Sequence, residues 1–152
     1  MSLDKQQRML KIQMEIIWWI VTVIVTFLLV YPIINNMVNY QFLYSNIIFI
    51  VVFITYTRYL FLLKHTFLAY AQVLKFILIF ASIPLVFKLV EFTFAYQDFL
   101  DTEGLNSFDS FFREGLTVES RERLLAYMSR EFLFFGVGST IVAVILPFRL
   151  LI

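Results

Sequence analysis

At 152 residues the chain is the size of one domain, and with 61% hydrophobic and 15% charged residues it departs far from a soluble one. The absence of Cys excludes disulfides, thiolate metal centres, iron–sulfur ligation and thiol catalysis; a single imidazole, His65, excludes a bis-His haem or a His-cluster metal site within one protomer. The formal net charge of +1 says little, because the charges are segregated along the chain.

The N-terminal segment LDKQQRMLKIQMEII carries Lys5, Arg8 and Lys11, with Leu3, Met9 or Leu10, and Met14 near helical spacing. A helix along a membrane surface fits this pattern and would attract anionic lipid, although three basic residues are also ordinary positive-inside bias. From Ile16 to Thr57 no side chain is charged. One helix of that length would measure ~63 Å, about twice the hydrocarbon thickness of a bilayer. The polar run NNMVNYQFLYSN divides it, so two crossings are expected, at 16–34 and 45–63, joined by an uncharged loop. The first apolar run ends without a small-residue cleavage site, which predicts a retained anchor rather than a signal peptide. Trp18 and Trp19, and Tyr31, Tyr40 and Tyr44 around the loop, are expected as interfacial anchors.

A third span is expected at 73–95, containing Pro84, and a fourth at 132–150, ending in Pro147, Phe148 and Arg149. Between spans two and three the sequence is apolar almost throughout, so the connection is either very tight or lies along the surface over 59–72. The predicted fold class is therefore an all-α integral membrane protein of four transmembrane helices, forming one domain over 1–152.

Segment 96–131 holds four Arg against eight Asp and Glu. Within it Phe108, Phe111, Phe112 and Leu116 follow helical spacing, which predicts a short amphipathic helix at the outer interface. Gly115 ends it. Thr117 or Ser120 can then cap a second helix, with Glu119 and Glu122 in its first turn and Leu124, Met128, Phe132 and Phe135 on one stripe. Nothing interrupts 118–135, so this helix is expected to run straight into the fourth span.

Positive charges set the orientation. Lys5, Arg8 and Lys11 precede the first span, Arg58, Lys64 and Lys75 surround the second connection, and Arg149 closes the fourth span. Both termini in the cytoplasm, with 96–131 outside, satisfies every segment. The bias towards Phe, Tyr, Ile and Asn follows AT-rich codons and points to a bacterial inner membrane.

Three groups of residues stand out. Lys88 and Glu91 lie three apart inside an apolar span, where an ionisable group costs roughly 2.5–3.5 kcal/mol at the bilayer centre. With Ala81 and Pro84 on the same face they suggest a proton or ion relay, or a contact with protein; as a snorkelling, self-neutralising pair they need no function. Arg58 falls in an apolar run and can either snorkel to the cytoplasmic surface or pair with Glu15. Gly136, Ser139, Thr140 and Ala143 form a small-residue face on span four that permits close helix packing, with a partner in this chain or in another. The acids Asp98, Asp101, Glu103 and Asp109 lack EF-hand spacing, so solvated carboxylates rather than a metal site are expected.

Among enzyme signatures, G-x-S-x-G, H-E-x-x-H, Walker and Rossmann patterns are missing, and no internal repeat suggests a transporter. The sequence predicts no catalytic residue, no cofactor, no metal and no nucleic-acid partner. Its expected partners are the lipid bilayer and other membrane-protein subunits. The favoured role is a non-catalytic accessory, scaffold or assembly subunit of a larger inner-membrane complex. The alternative is a small oligomeric transporter or ion- or proton-conducting component using Lys88 and Glu91.

Overall fold

The computed structural model describes residues 3–38, 40–63, 71–104, 108 and 112–151. Four α-helices follow in chain order: α1 Leu3–Asn36, α2 Leu43–Leu62, α3 Gln72–Glu103 and α4 Val118–Leu151. All four are long and apolar enough to cross a membrane. At ~1.5 Å per residue α2 measures ~30 Å, about a hydrocarbon core, whereas α1, α3 and α4 each approach 50 Å and must extend beyond it. The basic N-terminal segment is thus the first turns of α1 itself rather than a separate helix. The poorly marked connection after α2 falls mostly on 64–70, outside the described residues.

Local chemistry accounts for the helix ends. The α1–α2 connection is tight: Met37 N–H donates to Ile33 O at 2.9 Å, and Leu43 N–H to Tyr40 O at 3.3 Å. Gly104, at φ 81°, takes the left-handed conformation that ends α3, and its N–H donates to Leu100 O at 3.0 Å. Thr117 caps α4, its Oγ1 accepting the Ser120 N–H at 3.1 Å, with Glu119 in the first turn. Inside the apolar helices the hydroxyls of Thr22, Ser82, Thr93 and Thr140 each donate to the carbonyl four residues back, whereas those of Thr26, Thr55 and Thr57 are buried without a partner.

The bundle is organised on α4, which packs against α2, α3 and, less extensively, α1, while α1 leans mainly on α2. Gly136 makes this close approach possible. A Cβ there would sit 3.1 Å from Thr93 Oγ1 and 3.2 Å from the Phe49 ring. Above it the core is aromatic: Tyr96 stacks on Phe132 at 4.0 Å between centroids, and Phe49 and Phe42 meet Phe132 edge-on at 5.0 and 5.9 Å. Tyr56 donates to Ser82 Oγ at 2.9 Å, tying α2 to α3.

The predicted amphipathic helix over 107–116 falls largely outside the described residues. Where the segment is described, Phe108 lies in a 3₁₀ turn and 112–116 are not helical. Phe112 forms an antiparallel bridge with Met37, and Arg113 N–H donates to Asn36 O at 2.9 Å. Phe108 and Phe112 are buried in the protein core, so their apolar surface is covered by this chain.

Candidate functional site

The bundle buries two carboxylates in opposite chemical settings, one at each end. The first is Glu15. Arg58 Nη1 and Nη2 donate to its two oxygens at 2.8 Å each, a bidentate pair linking α1 to α2. Tyr59 Oη and Trp19 Nε1 donate to the same carboxylate. The guanidinium also lies over the Tyr59 ring at 4.5 Å and the Trp18 ring at 5.9 Å. Arg58, only 4% exposed at its side chain, is therefore held inside the protein by Glu15 rather than extended to water.

The second carboxylate is Glu131, 7% exposed, on the turn of α4 before the aromatic core. Neither of its oxygens has a hydrogen-bond partner. Around it, Asn46 of α2 is wholly buried with both carboxamide atoms unpartnered, the Tyr40 hydroxyl is likewise buried and unpartnered, and the buried Tyr96 hydroxyl approaches Ser129 without a hydrogen bond of good geometry. These groups are close in space. Asn46 approaches the Glu131 carboxyl without a hydrogen bond of good geometry, and Tyr40, Tyr96 and Tyr127 lie near enough to interact with it electrostatically. Burial above all pushes the Tyr40 phenol above its ordinary range, so it stays a hydroxyl near neutral pH. Phe42 and Phe108 contact both tyrosine rings and close the cluster with apolar surface.

Sequence reasoning missed this cluster. Glu131 was grouped with the acids of 96–131, and Tyr40 was expected as an interfacial anchor. The signal was available: Glu131 lies three residues after Met128 and four before Phe135, on the stripe read as apolar. Tyr31 and Tyr44 are exposed, as anchors would be; Tyr40 is not.

The remaining expected sites lie elsewhere. Lys88 Nζ donates to Glu91 Oε2 at 3.0 Å, with both side chains 63% exposed on the outward face of α3. Ala81 and Pro84 are exposed with them, so that face points away from the bundle, not into it. The small-residue face of α4 is filled from within the chain: Gly136, Ser139 and Ala143 are buried and Thr140 is half-buried. Gly138 adds a further close approach, with the Phe53 ring 2.9 Å from where its Cβ would be. Asp98, Asp101 and Glu103 are exposed, Asp109 lies outside the described residues, and among the described residues no three metal-ligating side chains gather.

No protein-family model, curated protein or solved structure matches the chain.

Proposed function

We propose that this chain is a non-catalytic accessory, scaffold or assembly subunit of a larger complex in a bacterial inner membrane. Both termini lie in the cytoplasm, and the acidic segment between α3 and α4 lies outside, following the distribution of Lys and Arg. The observation that carries the role is the Lys88–Glu91 pair on the outward face of α3. Lys88 is 13 residues past Lys75, hence ~20 Å into a ~30 Å core. An ion pair at that depth is more stable against protein than against lipid tails. α3 also exposes Phe76, Phe80, Phe87 and Phe94, so a broad aromatic surface flanks the pair. The small-residue face of α4 is already occupied and adds nothing to the argument.

Affinity purification from native membranes in mild detergent tests the proposal. A larger partner should co-purify in fixed stoichiometry. The double variant Lys88→Met, Glu91→Gln should lose it while retaining the helical content and detergent-stable fold of the parent. Recovery of the chain alone, with purified protein in liposomes carrying ions or protons and the double variant abolishing that flux, would favour the conducting alternative instead.

A further inference from the structure

The cluster around Glu131 has an arithmetic of donors and acceptors that a neutral carboxyl completes directly. Asn46 presents a carbonyl oxygen needing a donor and an amide nitrogen needing an acceptor, both buried and both unpartnered. An ionised Glu131 accepts only, so it can serve the nitrogen but leaves the Asn46 oxygen dependent on a tyrosine hydroxyl. A neutral carboxyl offers one O–H and one carbonyl, the complement of a carboxamide. It can donate to Asn46 Oδ1 while accepting from Nδ2. The Tyr40 and Tyr96 hydroxyls then find lone pairs on the remaining oxygen surface.

Two arginines share a groove with Glu131, but among the described residues neither they nor any other cation pairs with it. From α1 there is no charged residue between Ile16 and Asn36. α2 contributes Asn46, the turn before it Tyr40, and α3 Tyr96. On α4 itself stand Tyr127, whose hydroxyl donates to Leu29 O, and Arg123 and Arg130. Both arginines are exposed, and Arg123 is bound to Glu119. A buried carboxylate left in this state keeps its full desolvation penalty, which neutralisation removes. A metal cation fits less well. The cluster is rich in O–H and N–H donors as well as oxygens, and a divalent ion would leave uncompensated positive charge beside a single carboxylate.

We propose that Glu131 is a proton-binding site, carrying its proton in the folded molecule as a carboxyl–carboxamide pair with Asn46 inside an aromatic cage. The route this proposal gives the proton is the groove of about 630 Å³ lined by Arg123, Ala126, Tyr127, Arg130, Glu131 and Phe134, beneath which both carboxyl oxygens are buried. This proton site goes beyond the accessory-subunit role and does not depend on it.

A hydrophobic carbodiimide tests it on the intact chain in native membranes. The reagent takes the proton of a neutral carboxylic acid on nitrogen while the carboxyl oxygen adds to its central carbon. The resulting O-acylisourea rearranges to a stable N-acylurea, so the acid and the reagent combine without loss of atoms. Peptide mass spectrometry at neutral pH should find on the order of tenfold more adduct at Glu131 than at Glu15, one unit in a protonation equilibrium being a factor of ten. Labelling should fall as pH is raised and should not respond to sodium ions. Protection by sodium overturns the proposal in favour of a metal cation. Infrared spectroscopy of the protein in lipid vesicles reads the same state without reagent access. The wild type should show a protonated-carboxyl C=O band that Glu131→Gln lacks and that disappears at high pH. A wild type without that band at neutral pH overturns the proposal whatever the labelling shows.

Discussion

Glu15 and Glu131 are both carboxylates largely removed from water, and they illustrate two ways a helical bundle tolerates such a group. Glu15 is surrounded by donors: a bidentate guanidinium, a phenol and an indole converge on it. Glu131 sits among aromatic rings and neutral polar groups, and among the described residues no cation is paired with it. At Glu15 the negative charge is the glue that holds α1 to α2. At Glu131 a negative charge has nothing to hold, and the group fits its surroundings only as an acid. The same side chain thus acts as a structural ion at one end and as a proton carrier at the other, by what faces it.

Substitutions sharpen this contrast. The largest loss should follow Arg58→Ala, which leaves Glu15 half-buried without its counter-ion; a fall of ~3 kcal/mol in unfolding free energy in detergent or bicelles is expected. Gly136→Leu forces a branched side chain against Phe49 and Thr93 in the bundle between the two carboxylates, and should cost ~1–3 kcal/mol by overpacking. Glu15→Gln removes the charge from four hydrogen bonds and should cost about 2 kcal/mol. Glu131→Gln, the matching change at the other end, should alter stability by less than ~1 kcal/mol, because an amide replaces a neutral acid of the same shape. Equal losses from the two Glu→Gln variants would remove the distinction between the sites. The smallest effect is expected for Lys88→Met with Glu91→Gln: the exposed pair should contribute within ~0.5 kcal/mol to the isolated chain, its consequence showing in co-purification instead.

The number and order of the apolar spans were legible in the sequence, because hydropathy and turn residues are local properties. The full helix lengths were not: α1 takes in the basic N-terminal segment and α3 runs on to Glu103. Each expected span falls on one helix, to within a residue at the end of α2. The Thr117 cap and the unbroken run into the fourth span were equally readable, since a cap depends on residues three apart. Burial of Phe108 and Phe112 was not, because helical spacing in a short aromatic run does not reveal whether lipid or protein covers it. The pairing of Glu15 with Arg58 was visible only as one of two options, the two residues being 43 apart in sequence.

What the sequence determined by itself is a chain of four apolar helices with most charge, Lys88 and Glu91 apart, segregated towards their ends, since a long apolar run with intact backbone hydrogen bonding has no other inexpensive form in a bilayer. Tertiary structure decided how each helix is rotated about its axis. That rotation turns Lys88 and Glu91 outward, seats Gly136 on Phe49, and carries Glu131 inward to Asn46. Nearly every face of these helices is apolar, so periodicity hardly distinguishes inside from outside. The choice is made by the fit of rings and small residues across helices, which no single helix contains.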